Sequence, residues 1–382
     1  MTFPEKNIAM EPEADPVRGA GSSRLSDAGG DRGALHEDVA SQSRDGVRAA
    51  QPDAPVIEMR NLHKRFESRR PDLAQRILAL AGRPVDRRVV HAVNGVDLAI
   101  RHGEVLGLVG ESGCGKSTLG RMVAGLYRQT EGELYYQGRP VAALKGRERL
   151  AYTLGVQMIF QDPQASLNPR QRLHQILGEP LKVHGLAPSA QVPGRVDQAL
   201  SEVGLQREYR DRYPHQISGG QRQRIGIARA LMVSPGFLVC DEPVAALDVS
   251  IQAQVINLFM NLRERHGLTY LFISHDLGVV RHISDHVAIM YLGRIVERAP
   301  AAEIFARANH PYTQALLAEV PDVKRRGRKF IPIKGEIPSP LSPPPGCAFH
   351  PRCPQAMPRC REQAPELREI APGHWSACHL NP

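Results

Sequence analysis

Eight consecutive residues have the types and spacing of a phosphate-binding loop. The segment GESGCGKS at positions 110–117 fits the pattern G-x-x-x-x-G-K-[ST], after an apolar run and before a helical one at 118–126. Its glycines let the backbone wrap closely, so that successive N–H groups and the helix start face a phosphate. The lysine offers a charge to the β- and γ-phosphates, and the serine hydroxyl is a ligand for Mg²⁺. The nucleotide-binding residues predicted here are Gly110, Glu111, Ser112, Gly113, Cys114, Gly115, Lys116, Ser117 and Thr118.

Two adjacent carboxylates supply a second part of a nucleotide site. The apolar run 238–240 ends at Asp241 and Glu242. At such a position the first acid holds the Mg²⁺ shell, and the second orients and polarises the attacking water. Two acids after a strand are common by themselves. In one domain with a phosphate loop, they predict hydrolysis of ATP.

A third motif offers a second place for an anion. The segment ISGGQ at 217–221 leads into a helical stretch at 222–232. Two glycines before a helix expose backbone N–H groups, and a serine hydroxyl adds a further donor. Alone, the same residues would also serve as an ordinary helix cap. The candidate residues are Ser218, Gly219, Gly220 and Gln221.

The motifs need a scaffold, and the apolar runs supply it. Four of these runs predict strands, at 104–109, 156–160, 236–240 and 268–273. They alternate with helical stretches, which indicates an α/β domain. Each run ends in polar residues, among them Gln161 and His275, and open α/β sheets bind ligands at the carboxyl ends of their strands. A hairpin is predicted at 286–297, turning near Leu292 and Gly293.

The order of these motifs resembles that of the ABC transporter ATPase family, over about residues 55–300. The phosphate loop is followed by Gln161, the SGGQ signature, the paired acids and His275. The resemblance implies that Glu242 is the catalytic base and His275 the switch histidine at the γ-phosphate. It also implies that Gln161 touches Mg²⁺ and links the site to the membrane subunits.

The resemblance implies a site shared between two subunits. In the family the signature closes over the γ-phosphate bound by the partner's phosphate loop, so Ser218 is expected to act in trans. Asp248 resembles the D-loop acid at the dimer interface. Phe66 stands where the family places the aromatic that stacks on adenine, although core packing is the usual role of Phe. Ala245 stands where family members of this type often have Ser, and the lost hydroxyl is expected to loosen a cross-dimer hydrogen bond worth roughly 1 kcal/mol while leaving the site active.

The implied fold is α/β, a P-loop (RecA-like) ABC ATPase core with an antiparallel β-subdomain and an α-helical subdomain. Residues 1–53 have few aromatics and no sustained apolar period, which predicts a disordered segment. The nucleotide-binding domain is expected at 54–310. A Cys-containing C-terminal extension, a separate appendage, is expected at 311–382. No internal repeat is present, which predicts one nucleotide-binding unit.

Three stretches resemble the branch of the family that imports peptides and nickel. They are FQDPQASLNPR at 160–170, ALDVSIQAQ at 246–254 and IPSPL at 337–341. The first follows the Q-loop, where coupling to membrane subunits is expected. The resemblance implies an ATPase that powers import of oligopeptides or dipeptides. Because the cargo does not touch this subunit, dipeptides, longer peptides, nickel chelates and glutathione all stay open.

The resemblance also implies partners and a location. The partners are a second ATPase subunit (identical or a sister chain), two transmembrane permease subunits and, indirectly, an extracytoplasmic substrate-binding protein. No window approaches eighteen uninterrupted apolar residues and the N-terminus is polar, so neither a membrane span nor a secretory signal is predicted. The expected location is peripheral, on the cytoplasmic face of the cell's inner membrane.

Four of the six cysteines cluster near the C-terminus, which in a cytosolic protein suggests a metal or iron–sulfur centre rather than disulfides. Their spacing lacks the paired C-x-x-C of common zinc ribbons. The peptide branch carries such a tail, which implies a [4Fe–4S] cluster. Zinc, bound with His350, His374 or His379, and free or redox-active thiols are the alternatives, while Cys114 and Cys240 suit core packing. The cluster residues are Cys347, Cys353, Cys360 and Cys378.

The net charge of +9 would suit nucleic acid or an anionic membrane, and the basic run at 324–329 would also suit a solvated linker. An ABC ATPase that acts on nucleic acid is a second hypothesis. Repair members carry a long insertion between phosphate loop and signature, where this chain has about a hundred residues. Translation members usually carry two ATP units. An iron–sulfur assembly ATPase would not explain the peptide-branch stretches, so we expect import and no nucleic-acid partner.

Overall fold

The computed structural model describes residues 54–67, 89–319 and 335–381, with the side chains of residues 163 and 164 left aside. The segment 1–53 and the basic run 324–329 lie outside the described residues, so the predictions of disorder and of a linker stay predictions. In the described ranges, no helix is both long and apolar enough to cross a membrane.

The described residues form twelve strands in two sheets. In chain order they are β1 (Pro55–Glu67), β2 (Val89–Arg101), β3 (Val105–Val109), β4 (Glu131–Tyr136), β5 (Arg139–Pro140), β6 (Val156–Ile159), β7 (Phe237–Asp241), β8 (Thr269–Ile273), β9 (His286–Tyr291), β10 (Arg294–Pro300), β11 (Arg368–Ala371) and β12 (His374–Ser376).

Helices connect and cover these strands. In chain order they are α1 (Lys116–Val123), α2 (Gly146–Gly155), α3 (Pro163–Ser166), α4 (Leu173–Val183), α5 (Val192–Glu202), α6 (Gly219–Leu231), α7 (Val249–His266), α8 (Leu277–Ile283), α9 (Ala301–Arg307), α10 (Pro311–Glu319) and α11 (Pro358–Glu362), with short 3₁₀ turns at Val141–Ala143, Arg207–Asp211 and Pro214–Gln216.

The larger sheet runs in the order β11-β12-β10-β9-β3-β8-β7-β6. From β9 to β6 neighbouring strands are parallel. Every residue of β3, β7 and β8 is buried, as expected of parallel strands covered on both faces. The four strands predicted from apolar runs are confirmed to within one residue at each end.

The predicted hairpin is confirmed as β9 and β10. Tyr291 pairs with Arg294 across the turn. Leu292 and Gly293 both have positive φ, at 42° and 79°. A two-residue turn of this kind matches the right-handed twist of the flanking strands. The turn therefore lies where the sequence placed it.

A smaller antiparallel sheet, in the order β2-β1-β4-β5, packs over α1. Its inner face contributes Ile57, Leu62 and Val96 to an apolar cluster that includes Leu119 and Met122 of α1. These side chains are almost fully buried. The predicted antiparallel β-subdomain is therefore present, and it covers the helix that starts at the phosphate loop.

A helical layer built from α4, α5 and α6 packs around a second apolar cluster, whose buried members include Leu177, Leu200 and Ile227. Helix α7 contributes Val255 and Phe259 to the same cluster. The apolar residues of α6 thus anchor the signature helix to the rest of the layer. This arrangement confirms the predicted α-helical subdomain.

The C-terminal residues differ from the expected separate appendage, because they complete the main sheet. Strand β12 pairs antiparallel with β10, joining Trp375 to Arg298, and β11 pairs with β12. Phe349 is buried against Tyr291 and Tyr312, with ring centroids 5.4 and 5.3 Å away. Pairing at a sheet edge joins residues far apart in sequence, so local patterns gave no sign of it.

Candidate functional site

The phosphate loop connects β3 to α1, and its backbone requires glycine at two points. Gly113 and Gly115 have φ of 78° and 109°. A Cβ on Gly115 would lie 2.1 Å from the carbonyl oxygen of Ala92, and one on Gly110 would lie 2.2 Å from that of Met290. The loop is therefore wedged against neighbouring backbone, which fixes the direction of its N–H groups.

Lys116 is held inside this loop. The residue is 4% exposed, and its ammonium donates to the carbonyl oxygens of Gly110 (2.7 Å) and Glu111 (3.0 Å). The charge thus lies at the centre of the turn, next to the N-terminus of α1. A buried ammonium at a helix start makes a strong site for a phosphate group.

The side chains predicted to hold Mg²⁺ meet at this point. The Ser117 hydroxyl donates to Oδ1 of Asp241 over 2.8 Å. Asp241 is 2% exposed, and burial raises its pKa, while the hydrogen bond from Ser117 lowers it. A hydroxyl and a carboxylate are hard oxygen ligands that, with phosphate oxygens and water, fit the preferences of Mg²⁺.

The catalytic candidates converge on one carboxylate oxygen. Oε2 of Glu242 accepts from the side-chain amide of Gln161 over 3.0 Å and lies 3.2 Å from Nδ1 of His275. Glu242 has φ of 46°, and its N–H donates to the carbonyl of Ile273 over 3.0 Å. A positive φ is uncommon for glutamate, so this residue is held in an unusual conformation beside the phosphate loop.

The signature residues begin α6, and the first two of them are open to solvent. Ser218 is the N-cap, and its Oγ accepts from the N–H of Gln221 over 3.3 Å, while Gln221 accepts from the N–H of Ser218 over 3.0 Å. This is the capping-box arrangement. Ser218 and Gly219 are exposed, and a Cβ on Gly220 would lie 2.5 Å from Ile251 of α7. The expected helix cap and the exposed anion site are therefore compatible.

Asp248 and Phe66 occupy different settings. Asp248 is the exposed N-cap of α7, beside Val249, which is 81% exposed. The Phe66 ring makes an edge-on contact with Tyr127 at 5.5 Å between centroids, and the Lys64 ammonium lies 4.8 Å from its centroid. Phe66 is therefore in an aromatic and cationic surface cluster rather than the core.

Sequence reasoning missed three residues that border the site. Tyr127 lies beside Phe66. The Tyr312 hydroxyl accepts from the N–H of Glu111 over 2.9 Å. Arg352 forms an ion pair with the Glu111 carboxylate at 2.7 Å. Tyr312 and Arg352 lie about 200 and 240 residues beyond the loop, so no local spacing could have indicated them.

Cys114 of the phosphate loop and Cys240 of β7 pack in the core, as predicted. Cys114 is 5% exposed and Cys240 is fully buried, within the apolar clusters of the core. Burial raises the pKa of both thiols. Protonated, buried thiols pack as small apolar side chains.

The prediction of an iron–sulfur cluster at the C-terminal cysteines is wrong. Among the residues the structure describes, no three His, Cys, Asp or Glu side chains are arranged to hold a metal ion. The four cysteines are free. Burial raises the pKa of Cys347 to about 11 and also raises those of Cys353 and Cys378. Cysteines clustered in the sequence bind a metal only if the fold brings their sulfur atoms within bonding distance of one ion.

Comparison with known proteins agrees with the site. Residues 93–245 match the family described as ABC transporter, and residues 296–360 match the oligopeptide/dipeptide transporter C-terminal region. The oligopeptide transport ATP-binding protein AppF of Bacillus subtilis (strain 168) is 50% identical over 85% of this chain and 97% of its own length. The dipeptide transport ATP-binding protein DppF of Escherichia coli (strain K12) is 48% identical, over 74% and 85%.

Solved structures agree on the fold. The structure of cbiO1 from Clostridium perfringens, part of an ABC transporter complex, matches with a TM-score of 0.55 and 25% identity, over 67% of this chain and 92% of that one. A dimeric, post-hydrolysis structure of the ATP-binding cassette MJ0796 with ADP and Pi matches with a TM-score of 0.54 and 25% identity, over 64% and 98%.

The fold and the nucleotide site together define an ABC-type ATPase, a class whose cassettes bind ATP. Within that class, the chain belongs to the ABC transporter ATP-binding subunits of the oligopeptide/dipeptide family.

Proposed function

We propose that this chain hydrolyses ATP to power the import of peptides, of the oligopeptide or dipeptide class, through separate membrane-spanning permease subunits. The relatives that match over most of its length are named for transport of these peptides. A C-terminal match to the oligopeptide/dipeptide transporter region points the same way. The exact cargo is set by partners that this chain does not contain.

The observation that carries the proposal is the meeting of four strand ends. Three neighbouring strands in the parallel part of the sheet, β3, β8 and β7, carry four of the site residues at or just after their carboxyl ends: Lys116, His275, Asp241 and Glu242. Gln161 follows β6, which lies beside β7. Hydrogen bonds link the phosphate loop to Asp241 and Gln161 to Glu242, and Nδ1 of His275 lies 3.2 Å from the Glu242 carboxylate. This is the set of groups that phosphoryl transfer to water requires.

Each residue has a distinct role in the proposed reaction. Lys116 and the loop N–H groups bind the β- and γ-phosphates. Ser117, Asp241 and Gln161 would hold Mg²⁺, which neutralises charge on the phosphate oxygens when bound. Glu242 orients the attacking water and takes up its proton as the bond to the γ-phosphorus forms. The bond from that phosphorus to the bridging oxygen breaks in the same step, so ADP and phosphate leave.

His275 and Gln161 hold the Glu242 carboxylate through the same oxygen, Oε2. His275 is also proposed to contact the γ-phosphate, the role that the family resemblance implies. With 58% of its side chain exposed, it is accessible to a bound nucleotide. Phe66, with Tyr127 at its edge, is the proposed surface for adenine.

We infer that the working site needs a second ATPase subunit. Ser218 and Gly219 of the signature are exposed, as are Asp248 and Val249 after the paired acids. Exposed N–H groups at a helix start are suited to a phosphate brought by a partner. In the proposed dimer, each ATP lies between one chain's Lys116 and the other chain's Ser218.

The proposed organisation follows from these roles. Residues 54–310 form the nucleotide-binding domain, and residues 311–382 its C-terminal extension. The subunit is peripheral, on the cytoplasmic face of the inner membrane, against two permease subunits, with a substrate-binding protein acting indirectly on the other side. Phe160, 37% exposed beside Gln161, lies in the stretch proposed to meet the permeases.

Replacing Glu242 by Gln tests the proposal. The variant keeps the hydrogen bonds that an amide oxygen can accept but loses the base, so turnover should fall by about 10²- to 10⁴-fold while the Kd for ATP stays within about threefold. With ATP and without hydrolysis, a dimer should accumulate in size-exclusion chromatography. Glu264→Gln, the same charge change at an exposed position of α7, is the control. Normal hydrolysis by Glu242→Gln would refute the catalytic assignment.

A further inference from the structure

The C-terminal region reaches the phosphate loop through one residue, Glu111. Arg352 grips its carboxylate at two points, with Nη1 2.7 Å from Oε2 and Nη2 2.9 Å from Oε1. The N–H of Glu111 donates to the Tyr312 hydroxyl over 2.9 Å. The carbonyl of Glu111 accepts from the Lys116 ammonium. Every polar group of this loop residue is therefore held, and two of them by residues beyond 310.

The arginine is buried and is held through its two terminal nitrogens. Its side chain is 5% exposed, and that of Glu111 is 20% exposed. Nη1 also lies 3.4 Å from the hydroxyl of Tyr291, whose ring packs against Tyr312 and Phe349. A two-point guanidinium–carboxylate contact defines orientation as well as distance, which one charged contact would not. The two-point contact therefore fixes the orientation of the Glu111 carboxylate as well as its distance from Arg352.

Charge gives this contact a second consequence. A carboxylate in a phosphate loop would repel the triphosphate that the loop binds, and this repulsion is stronger where water is partly excluded. Arg352 supplies an opposite charge at hydrogen-bond distance. The carboxylate beside it raises the pKa of the arginine, so the guanidinium stays charged. With the arginine in place, the charge of the Glu111 carboxylate is cancelled, and the positive charge of Lys116 is left to attract the phosphates.

We propose that Arg352 is a positioning residue of the ATP site, which holds the start of the phosphate loop through Glu111 and cancels the charge of that carboxylate beside the triphosphate. The inference rests on the proposed role of residues 110–117 as the phosphate loop. It makes the C-terminal region part of the ATP site, because the arginine contacts Tyr291, whose ring lies in the same buried cluster as Phe349 and Tyr312. A change that moves this cluster changes the affinity for ATP.

Nucleotide binding by Arg352→Met, measured with ATP, ADP and adenosine, tests the charge effect. The Kd for ATP should rise by about 10- to 100-fold, the Kd for ADP less, and that for adenosine little, because repulsion grows with phosphate charge. At saturating ATP, kcat should stay within about threefold. Arg361→Met removes the same charge from an exposed position of α11 and should bind ATP normally.

The double variant Arg352→Met, Glu111→Gln separates charge from structural damage. Removing the carboxylate should restore the Kd for ATP to within about threefold of the native value, which a collapsed C-terminal region would not allow. If Arg352→Met does not fold, Arg352→Lys, which keeps the charge and loses the two-point contact, should raise the Kd by about threefold to tenfold.

Three results would overturn the inference: native ATP affinity in the foldable Arg352 variant, equal losses for ATP and adenosine, or no recovery in the double variant. Lys116→Ala distinguishes a failure of the proposed function. If Lys116→Ala binds ATP normally, the phosphate-loop assignment itself is wrong. If it loses ATP binding while the Arg352 variants keep it, only the role of Arg352 is wrong.

Discussion

At the residue scale, His310 is a histidine that burial keeps in its neutral form. It is 1% exposed, its ring Nδ1 accepts from the backbone N–H of Tyr312 over 3.1 Å, and its backbone N–H donates to the Glu297 carboxylate. Phe349 lies 5.9 Å away between ring centroids. Burial lowers the pKa of His310 to about 4, because a charged imidazole would lose its hydration there.

We predict a pH-dependent loss of stability from this histidine. The unfolded chain binds the proton near pH 6.5 and the folded chain only near pH 4, so stability is full above 6.5 and falls between these values. Between pH 7 and pH 5 the loss should be about 2 kcal/mol. His310→Asn, whose amide oxygen can replace Nδ1, should show less loss in urea unfolding at the two pH values. An equal loss in His310→Asn and in a control at exposed His282 would contradict the prediction.

The backbone conformation of Glu242 depends on contacts with the neighbouring strand β8. Its positive φ is maintained by the N–H donated to Ile273, at the end of β8. Two residues after this strand ends, His275 lies against the Glu242 carboxylate. The base and one of its partners therefore share a single structural support, and their relative position follows from the sheet.

At the scale of elements, the junction of β3, the loop and α1 depends on two glycines that differ in surroundings. Gly115 has φ of 109° and Ala92 directly behind it, whereas Gly113 has φ of 78° and open space. A methyl group added at Gly115 would clash with a backbone atom that cannot rotate away. A methyl group added at Gly113 has room, so the substitution carries only the intrinsic cost of a left-handed conformation.

We expect Gly115→Ala to weaken ATP binding much more than Gly113→Ala. The methyl group of the first variant must push β2 and the loop apart, since the carbonyl of Ala92 lies 2.1 Å from the Cβ position. Its Kd for ATP should rise by at least about tenfold, and its free energy of unfolding should fall. Gly113→Ala should cost about 1 kcal/mol of stability. Isothermal titration and thermal unfolding of both variants measure this, and similar Kd values would refute the steric argument.

At the scale of the whole molecule, a buried carboxylate ties the C-terminal hairpin to the core. Glu297 of β10 is fully buried and accepts from the N–H groups of Asn309 (2.7 Å) and His310 (3.0 Å), just before α10. It also lies 2.7 Å from Nε2 of His374 at the start of β12. One side chain thus joins the sheet, a helix start and the hairpin.

Replacing Glu297 by Ala should destabilise the protein by about 3 kcal/mol or more, because it leaves two helix-start N–H groups and a buried histidine without their partner. Chemical unfolding with far-ultraviolet circular dichroism measures this. Glu303→Ala breaks an exposed ion pair with Arg307 and should cost far less. Comparable losses in the two variants would show that the Glu297 network adds nothing to stability.

The chemistry of the ATP site could be predicted from the sequence because each of its motifs is short and contiguous. The phosphate loop, the paired acids and the signature carry their own turns and helix starts, and apolar runs placed the strands that lead to them. The order of motifs then pointed to the family. Even the hairpin turn at Leu292 and Gly293 followed from adjacent residues.

The tertiary structure alone decided the features that join distant residues. It placed Arg352 on Glu111, added β12 to the edge of β10 and set Tyr312 beneath the phosphate loop. It also overturned the iron–sulfur prediction, since no three His, Cys, Asp or Glu side chains among the described residues are arranged to hold a metal ion. Spacing along the chain fixes which groups are available and the local shape of a motif. Contacts across hundreds of residues depend on how the layers pack, which composition and periodicity do not encode.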